Sequence, residues 1–348
     1  MTARVDPFEL RIDPPLETAR ETLHTRRGLL FRVESSPGGI GESAPLEPFT
    51  ESLEASRTAL DRAVEGFAET GWRGALRIVS ETAAGRLRWP AARHAVSQAL
   101  LDWRARHAGR SVAGLLGGSQ SSVPVNATVG DGDPAETAAR VERAQAAGFP
   151  AVKVKVGRGS VGRDLDRLRR VRERVGGSVE LRADANGAWD LEAASRFLEG
   201  AAGLDLAYVE QPLPVDRTWA HAELDAGPPI ALDESLSEHS VQALLAADLG
   251  AHYVLKPMAL GGIDLGWGAA HRIRRAGARA TVTSIVESVV GRTGAVHLAG
   301  ALADPPAAGL STADLIETDL GPDPAPVADG QIRVPSGPGL GVEVITRG

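Results

Sequence analysis

Apolar and polar positions follow two different rhythms along the chain. In roughly the first 120 residues, alternating runs at 8–12 and 29–33 predict strands. Stretches at 48–68 and 91–107 instead have the spacing of amphipathic helices. After about residue 122, short apolar runs alternate regularly with helical stretches, and these runs lie at 123–129, 152–156, 179–183, 206–209, 230–232, 253–255, 280–285 and 309–310.

The regular repeat of strand and helix predicts an α/β protein with a parallel barrel. Helix start signals support the repeat, since Asp133 and Glu136 have capping-box spacing. Eight βα-type units are typical of a TIM-type (β/α) barrel, here of the (β/α)7β kind. An open doubly wound sheet is the alternative, but no Gly-x-Gly-x-x-Gly follows the first strand. We expect an α+β capping domain at 1–120, a barrel with the active site at 121–320, and a tail at 321–348 that returns to the capping domain.

Composition excludes several classes of function. The 348 residues include no cysteine, which excludes disulfides, thiolate metal sites and cysteine nucleophiles. The formal net charge of −7 argues against a nucleic-acid surface. No apolar run has the length of a signal peptide or a membrane span. We therefore expect a cytoplasmic protein whose partner is a small-molecule substrate, with neither a nucleic acid nor a membrane as a partner.

Charged residues end four consecutive predicted strands. They are Asp184, Glu210, Asp233 and Lys256, spaced 23 to 26 residues apart. Because the active sites of TIM barrels lie at the carboxyl ends of the strands, we expect these side chains to share one rim. Three carboxylates on one rim repel one another unless a cation neutralises them. Oxygen ligands favour a hard cation, so the sequence predicts a Mg²⁺ site, with Mn²⁺ as a second choice.

Two lysines lie on one face of an earlier predicted strand. Lys153 and Lys155 alternate in the run 152–156, so both side chains point the same way. A solvated edge is the ordinary explanation for such a pair, but a parallel strand in mid-barrel is covered on both sides. Lys155 is nearer the carboxyl end and is the better candidate for a general base. Lys256 would reach the same rim from the opposite wall.

Arg182, Gly262 and Ser284 are weaker candidates for the site. Arg182 has the parity of Asp184 and would either support a carboxylate ligand or lie outside against a helix. Gly262 would either offer a backbone N–H to an anion or form a plain turn. Ser284 ends the seventh predicted strand, where it would bind a substrate carboxylate or belong to an ordinary loop.

A divalent cation among three carboxylates, with lysines on opposite walls, suits one type of reaction. It stabilises the enediolate that forms when a proton leaves the carbon next to a carboxylate. Because that proton is very weakly acidic, the cation must bind the carboxylate oxygens while a lysine takes the proton. Sites of the enolase superfamily combine a Lys or His base with Mg²⁺ in this way.

The motifs of the chain resemble those of the enolase superfamily, muconate-lactonising subgroup, along nearly its whole length. The matching motifs are Gly41-Glu42-Ser43-Ala44-Pro45, Lys153-Val154-Lys155, Asp184-Ala185-Asn186, Val209-Glu210-Gln211-Pro212, Leu232-Asp233-Glu234-Ser235 and Leu255-Lys256-Pro257. Within the subgroup, the segments 181–186, 284–288 and 309–315 resemble the o-succinylbenzoate synthases. The resemblance implies a lyase of menaquinone biosynthesis that dehydrates 2-succinyl-6-hydroxy-2,4-cyclohexadiene-1-carboxylate with syn stereochemistry.

The resemblance also implies a role for each site residue. Lys155 would abstract the α-proton and then protonate the departing hydroxyl, while Lys256 would stabilise the enediolate by a cation–π contact. Mg²⁺ would be bound by Asp184, Glu210 and Asp233. The residues that would support these groups or bind substrate are Lys153, Arg182, Asn186, Gly262 and Ser284. A cap loop at 17–28, with Arg26 or Arg27, would close over the substrate.

Two other functions stay open. Lysines on both walls also suit an N-acylamino-acid racemase or a dipeptide epimerase, which need one base for each face of the substrate. No Asp-x-Asp lies in the eighth predicted strand. Its absence counts against a dipeptide epimerase but not against an acylamino-acid racemase. A non-catalytic scaffold barrel is less favoured, because such a barrel has no reason to keep buried charges.

Overall fold

The N-terminal part of the protein is an antiparallel sheet covered by helices. The computed structural model describes residues 1–17 and 22–345. The sheet has the order β1-β2-β3, and it contains both strands that the sequence predicts in this part. The elements are β1 (Thr2–Glu17), β2 (Thr22–Glu34), β3 (Gly39–Ser43), α1 (Leu53–Thr70), α2 (Trp72–Val79), β4 (Thr82–Ala83), β5 (Arg86–Leu87), α3 (Pro90–His107) and α4 (Val112–Leu115).

Aromatic side chains join this sheet to its helices. Phe31 of β2 is fully buried and meets Phe67 of α1 edge to face, with ring centroids 6.5 Å apart. Phe67 in turn meets Trp72 edge to face at 5.2 Å. Such pairs bury large apolar surfaces and add about 1 kcal/mol each beyond that burial. The sheet and the first two helices therefore form one packed unit.

The second part is a parallel barrel. Its sheet runs in sequence order over seven strands, with helices between them. The elements are β6 (Ser122–Pro124), β7 (Asn126–Val129), α5 (Pro134–Ala146), β8 (Ala151–Lys155), α6 (Val161–Val175), β9 (Glu180–Asp184), α7 (Leu191–Ala201), β10 (Leu206–Glu210), a 3₁₀ helix (Val215–Glu223), β11 (Ile230–Leu232), α8 (Ser235–Glu238), α9 (Val241–Ala246), β12 (His252–Leu255), α10 (Pro257–Leu260), α11 (Ile263–Arg275), β13 (Arg279–Val282), α12 (Val289–Gly300) and a 3₁₀ helix (Ala313–Leu315). Ala308 bridges to Val125 and Gly309 to Thr283, so this short segment closes the barrel as an eighth strand. The predicted (β/α)7β barrel is confirmed.

Alternation along the strands separates an apolar outer face from a polar interior. In β8, Val152 and Val154 belong to the same buried cluster as Leu168 of α6. The intervening lysines point inward, where Lys153 reaches carboxylates of neighbouring strands. The barrel core is therefore built between strands and helices, and the interior of the barrel carries the charged groups.

The predicted strand 123–129 is two strands in the structure. β6 pairs antiparallel with β15 (Gln331–Arg333), which also pairs with β14 (Val327–Ala328). β7 pairs parallel with β8 in the barrel. Pro124 lies at the break, and its missing N–H cannot continue a ladder. The same apolar run thus serves the barrel and the C-terminal segment.

The C-terminal segment contacts the N-terminal helices. The Gly339 carbonyl accepts the Val112 N–H at 3.0 Å. Leu340 donates its N–H to the buried Asp102 carboxylate of α3 at 2.8 Å. None of the helices in the described ranges has the length and apolar character needed to span a bilayer.

Candidate active site

Six charged side chains meet at the carboxyl ends of barrel strands β8 to β12. They are Lys153, Lys155, Asp184, Glu210, Asp233 and Lys256, all singled out from the sequence. The register explains the meeting, because Lys155 pairs with Asp184 and Asp184 with Glu210 across adjacent strands. The carboxylates are almost entirely buried, with Asp184 at 0%, Glu210 at 1% and Asp233 at 5% exposure.

One wall of the site is a network of two lysines and two acids. The ammonium of Lys153 lies 2.9 Å from Asp184 Oδ2 and 2.9 Å from Glu210 Oε1. The Lys155 Nζ atom lies 2.7 Å from the same Asp184 oxygen and 2.7 Å from Asn186 Oδ1. The Lys155 side chain keeps 33% exposure, more than its neighbours in the network. Of the two lysines on this wall, Lys155 is therefore the more accessible to a substrate.

The opposite wall is Lys256. Its ammonium donates to both oxygens of Asp233, at 2.6 and 2.5 Å. It also lies 3.9 Å from the ring centroid of Phe49, a residue of the N-terminal part. A cation over an aromatic face is attracted by the ring quadrupole. Phe49 was not identified from the sequence, because no local pattern connects that loop with a barrel strand.

The lysine content of the chain sets this group apart. The 348 residues contain three lysines, and all three are in this site; every other basic side chain of the Lys and Arg class is arginine. Arginine stays protonated in proteins, whereas a lysine amine can give up its proton and act as a base. In this chain, lysine therefore occurs only where an amine side chain has a chemical use. The lysine count is visible in the sequence, but the prediction of the site from strand spacing did not depend on it.

Burial and mutual repulsion shift the pKa values of the acids. Burial, together with the Asp184 charge, raises the pKa of Glu210 to about 7. Burial likewise raises the pKa of Asp233 to about 6, although Lys256 opposes the shift. For Asp184, burial acts in the same direction, but Lys153 and Lys155 outweigh it and hold its pKa below the usual range. The lysines therefore compensate the burial of Asp184 but not that of Glu210 and Asp233.

The donor set suits a hard divalent cation. Three carboxylates supply only oxygen ligands, which Mg²⁺ prefers. Glu210 Oε2 is buried and has no hydrogen-bond partner among the described residues. In the described ranges no three His, Cys, Asp or Glu side chains stand close enough to hold a metal as they are placed. Lys153 bonds to one oxygen of Asp184 and one of Glu210, which leaves the second oxygen of each carboxylate for a cation.

Asn186 and Glu234 support the Lys155 wall. Asn186 has a left-handed backbone, with φ of 46°, and donates its N–H to Asp184 Oδ1 at 3.1 Å. Its side-chain amide donates to Glu234 Oε1 at 3.0 Å. The sequence prediction named Asn186 but missed Glu234. The signal was present, since Glu234 directly follows Asp233 at the end of a strand.

Arg182 and Gly262 make other contacts than those expected. The Arg182 guanidinium is fully buried, but it points to the other end of β9, where it pairs with Glu180 and donates to the Ala307 carbonyl at 2.7 Å. Gly262 donates its N–H to the Pro257 carbonyl at 2.8 Å, so this group is already used within the turn. The structure therefore brings neither of these two residues to the carboxylates.

Ser284 lies on a rim of hydroxyl groups. Its Oγ is 3.3 Å from Thr312 Oγ1, which follows the eighth strand. Thr283 donates to the Gly309 carbonyl at 2.9 Å and so joins strands seven and eight below that pair. Two hydroxyl groups at the carboxyl ends of adjacent strands can both donate to one anion.

The N-terminal part holds the loop that carries Ser284. Arg26 is buried and donates to the Val286 carbonyl at 3.0 Å and to the Ala44 carbonyl at 2.5 Å. Val286 has φ of 64°, a costly backbone conformation for a β-branched residue. Of the predicted lid 17–28, residues 18–21 lie outside the described residues, and residues from Thr22 onward belong to β2. Arg27 pairs at the surface with Glu9.

Glu42 of β3 makes a second set of contacts between the N-terminal part and the barrel, next to the loop that carries Ser284. Its carboxylate accepts from the N–H of Ser288 at 2.9 Å, from the Ser288 hydroxyl at 2.5 Å and from the N–H of Gly291 at 2.6 Å. These donors belong to the first turn of α12, where a negative charge also interacts well with the helix dipole. Burial raises the pKa of Glu42 to about 7 in spite of these bonds.

Comparison with known proteins agrees with this architecture. The chain is 28% identical over 344 residues to the L-Ala-D/L-Glu epimerase of Bacillus subtilis (94% of this chain, 92% of that protein). A solved structure of a substrate-liganded complex of that epimerase matches with a TM-score of 0.88 at 26% identity, covering 98% of each chain. A dipeptide epimerase of Methylococcus capsulatus, solved with Mg and the dipeptide L-Arg-D-Lys, matches with a TM-score of 0.84 at 28% identity (97% of this chain, 98% of that chain).

A third relative has a different activity. The chain is 37% identical over 223 residues to the o-succinylbenzoate synthase of Thermobifida fusca (62% of this chain, 67% of that protein). The family model described as "Enolase C-terminal domain-like" matches residues 136–347, which include β8 to β13 and all six charged site residues. The chain is therefore an enzyme of the enolase superfamily and belongs to the Enolase C-terminal domain-like family.

Proposed function

We propose that this protein is a Mg²⁺-dependent o-succinylbenzoate synthase, a cytoplasmic lyase of menaquinone biosynthesis. Its substrate would be 2-succinyl-6-hydroxy-2,4-cyclohexadiene-1-carboxylate. The observation that carries this choice is the pair of hydroxyl groups on Ser284 and Thr312, 3.3 Å apart at the rim. The 37% identity to the Thermobifida fusca synthase supports the same choice.

The chemistry of that rim distinguishes the two main candidates. Ser284 and Thr312 can donate hydrogen bonds to the succinyl carboxylate of the proposed substrate. A free dipeptide carries an ammonium group, which needs negatively charged acceptors. The segment 309–315 offers Ser311, Thr312 and Ala313 before its one acid, the exposed Asp314. The strand-eight side of the rim is therefore better matched to an anionic substituent than to a cationic one, whereas on the strand-seven side the Ser284 hydroxyl also interacts with the buried Glu287 carboxylate.

We propose that Asp184, Glu210 and Asp233 would hold the Mg²⁺ ion, whose charge supports the substrate carboxylate during proton removal. Lys153 assists by holding Asp184 and Glu210 in one place, 2.9 Å from each. This leaves the proton transfer to Lys155, whose Nζ is held by Asp184 and Asn186 and is accessible from the site.

The proposed dehydration balances with one lysine. Neutral Lys155 takes the proton from C1, next to the ring carboxylate, and the C1–H electron pair moves onto that carboxylate to give an enediolate. The pair then returns to form the C1–C6 double bond as the hydroxyl on C6 leaves. The resulting ammonium then gives a proton to the hydroxyl on C6, the C6–O bond breaks, and water leaves from the same face. The ring becomes aromatic without any oxidant. Lys256 would stay protonated on the opposite face and attract the developing negative charge through a cation–π contact.

Epimerisation is the second candidate, and two observations favour it. Lys155 and Lys256 stand on opposite walls, where each could exchange a proton with one face of an α-carbon. The epimerases also align over 94% of this chain, whereas the synthase aligns over 62%. An N-acylamino-acid racemase would fit the anionic rim better than a dipeptide epimerase, because acylation removes the ammonium charge.

The direct test is turnover of the two substrate classes. Purified protein with Mg²⁺ is given the cyclohexadiene carboxylate, and the loss of diene absorbance is followed with and without EDTA. In parallel, N-acylamino acids and L-Ala-L-Glu are incubated in D₂O, and exchange of the α-proton is followed by NMR. Rapid EDTA-sensitive dehydration supports the proposal, whereas α-proton exchange without dehydration would replace it by the racemase or epimerase.

A further inference from the structure

A chain of hydrogen bonds runs from the proposed base to a carboxylate outside the proposed metal ligands. Lys155 Nζ donates to Asn186 Oδ1 at 2.7 Å, and Asn186 Nδ2 donates to Glu234 Oε1 at 3.0 Å. Lys155 is the last residue of β8, whereas Asn186 and Glu234 follow β9 and β11. Glu234 therefore reaches past the end of β10 to meet Asn186.

The amide of Asn186 has two orientations, and its neighbours select one. Turned by 180°, it would present its NH₂ group to the N–H donors of Lys155 and its oxygen to the carboxylate of Glu234. An ammonium donates only, and an ionised carboxylate accepts only, so both contacts would be lost. The backbone adds to the constraint, because the Asn186 N–H is bound to Asp184 Oδ1 at 3.1 Å.

When the Asn186 amide is fixed, it determines the direction of the lone pair of the Lys155 amine. Asp184 Oδ2 and Asn186 Oδ1 each accept one N–H from the amine. A neutral amine has two N–H groups and one lone pair, so filling both donors aims the lone pair in one direction. The Lys155 side chain is 33% exposed, so a substrate can approach the amine from outside these two contacts. Proton abstraction depends strongly on such alignment.

The second oxygen of Glu234 makes a purely structural role a poor explanation. Glu234 Oε2 is buried and has no hydrogen-bond partner among the residues of the described ranges. Burying a half-satisfied carboxylate costs stability. An apolar side chain of similar size would avoid that cost, so the acid has a use other than packing.

We propose that Glu234 is a positioning residue that acts on Lys155 through Asn186, by fixing the orientation of the Asn186 amide. The inference rests on the proposed role of Lys155 as the base. Glu234 also faces Asp233 and Lys256, and its charge acts on both. A purely electrostatic role through those neighbours is therefore the competing explanation, and it predicts a different response to substitution.

Four variants separate the two explanations. Glu234→Gln keeps an oxygen that accepts from Asn186 but removes the charge, and Glu234→Leu removes both. We expect kcat to stay within about threefold of the wild type in E234Q and to fall about 10- to 100-fold in E234L, with KM nearly unchanged in both. Asn186→Ala should lower kcat as E234L does. The double variant Asn186→Ala/Glu234→Leu should have a kcat within about threefold of that of N186A, because the effects of residues that act through one another are not additive.

A rescue pair keeps the test valid if E234L does not fold. Asn186→Asp places two carboxylates against each other and should lower kcat. Adding Glu234→Gln to that variant restores a donor–acceptor pair in reverse order, and kcat should recover at least partly. Glu238→Leu is the matched control, because Glu238 ends the short helix α8 that Glu234 precedes and its carboxylate pairs with Arg86 at the surface, so kcat should be unchanged.

The low lysine content supplies a readout that needs no turnover. Protein labelled with ¹³C at the lysine ε-carbon should give three lysine signals, assigned by their loss in lysine-to-arginine variants. The Lys155 signal should shift in E234L and N186A but not in E234Q or E238L. The proposal is overturned if E234Q loses as much activity as E234L, or if the loss in the double variant equals the product of the two single losses. It is also overturned if the Lys155 signal does not shift in E234L. If the wild type turns over none of the substrates, the proposed function fails while the NMR comparison still decides the positioning.

Discussion

Glu42 places a titratable carboxylate at the joint between the N-terminal part and the loop that carries Ser284. The perturbation that isolates it is Glu42→Gln, which keeps the shape and an oxygen acceptor for the Ser288 N–H. Glu287 also faces Glu42 and is buried, with a raised pKa of its own. His94 of α3 contacts the Glu42 carbonyl, and burial lowers the pKa of His94 to about 4, so it stays neutral at the pH values used below.

The magnitude follows from the pKa of Glu42. Burial raises that pKa from 4.5 to about 7. The unfolded chain therefore loses its proton first, and the stability that protonated Glu42 gives the fold is fully present below pH 4.5 and lost as pH rises through 7. At about 1.4 kcal/mol per pKa unit, the loss between pH 4.5 and pH 8 is about 3 kcal/mol. Glutamine does not titrate, so E42Q does not suffer this loss.

The assay is thermal unfolding of both proteins between pH 5 and pH 8. At pH 5, where Glu42 is protonated, we expect E42Q to unfold at a lower temperature than the wild type, because its amide NH₂ cannot accept the Gly291 N–H. Between pH 5 and pH 8 we expect the Tm of E42Q to rise by about 5 °C relative to the wild type, since about 1 kcal/mol corresponds to roughly 2 °C in a chain of this size. All other titrating groups are common to both proteins, so the difference between the two curves reports Glu42 together with its interaction with Glu287. Parallel curves, with a Tm difference that does not change with pH, would refute the reasoning.

Three further predictions concern the lysines and the metal. Lys155→Arg keeps the positive charge but not a usable base, so we expect at least a 100-fold loss of kcat, while Arg170→Gln on the surface of α6 leaves kcat unchanged. Asp233→Asn removes a charged ligand and should weaken Mg²⁺ binding by more than tenfold in calorimetry; unchanged affinity would remove Asp233 from the ligand set. Phe49→Leu keeps an apolar contact but removes the ring over Lys256, so we expect kcat to fall about 2- to 30-fold, and an unchanged kcat would show that the ring only fills space.

The barrel could be predicted from the sequence because its signal is local and repeated. Each of the runs 152–156 and 179–183 alternates with a capped helix, and charged residues mark the strand ends. The division of 123–129 into two strands could not be predicted in this way. It depends on β15, which follows about 200 residues later in the chain and pairs with β6. The domain boundaries near 120 and 320 stay predictions.

The site could be predicted in part for the same reason. The acids and lysines lie at equivalent positions of successive strands, so parity and spacing suffice to bring them together. Phe49 and Arg26 reach the site from the N-terminal part, and no period in the sequence connects them with the barrel. Alternation along β9 correctly places Arg182 on the inner face of the strand. It does not give the direction in which this long side chain extends along the barrel axis, and Arg182 extends towards Glu180, away from the carboxylates of the site.

The measurement that tests the central claim most directly is the reaction of the purified protein with 2-succinyl-6-hydroxy-2,4-cyclohexadiene-1-carboxylate in the presence of Mg²⁺. We predict rapid loss of the diene absorbance, conversion to the aromatic product, abolition by EDTA and at least a 100-fold slower reaction in Lys155→Arg. No conversion by wild-type protein that binds Mg²⁺ would contradict the proposed function, and full activity of the Lys155 variant would contradict the assignment of the base.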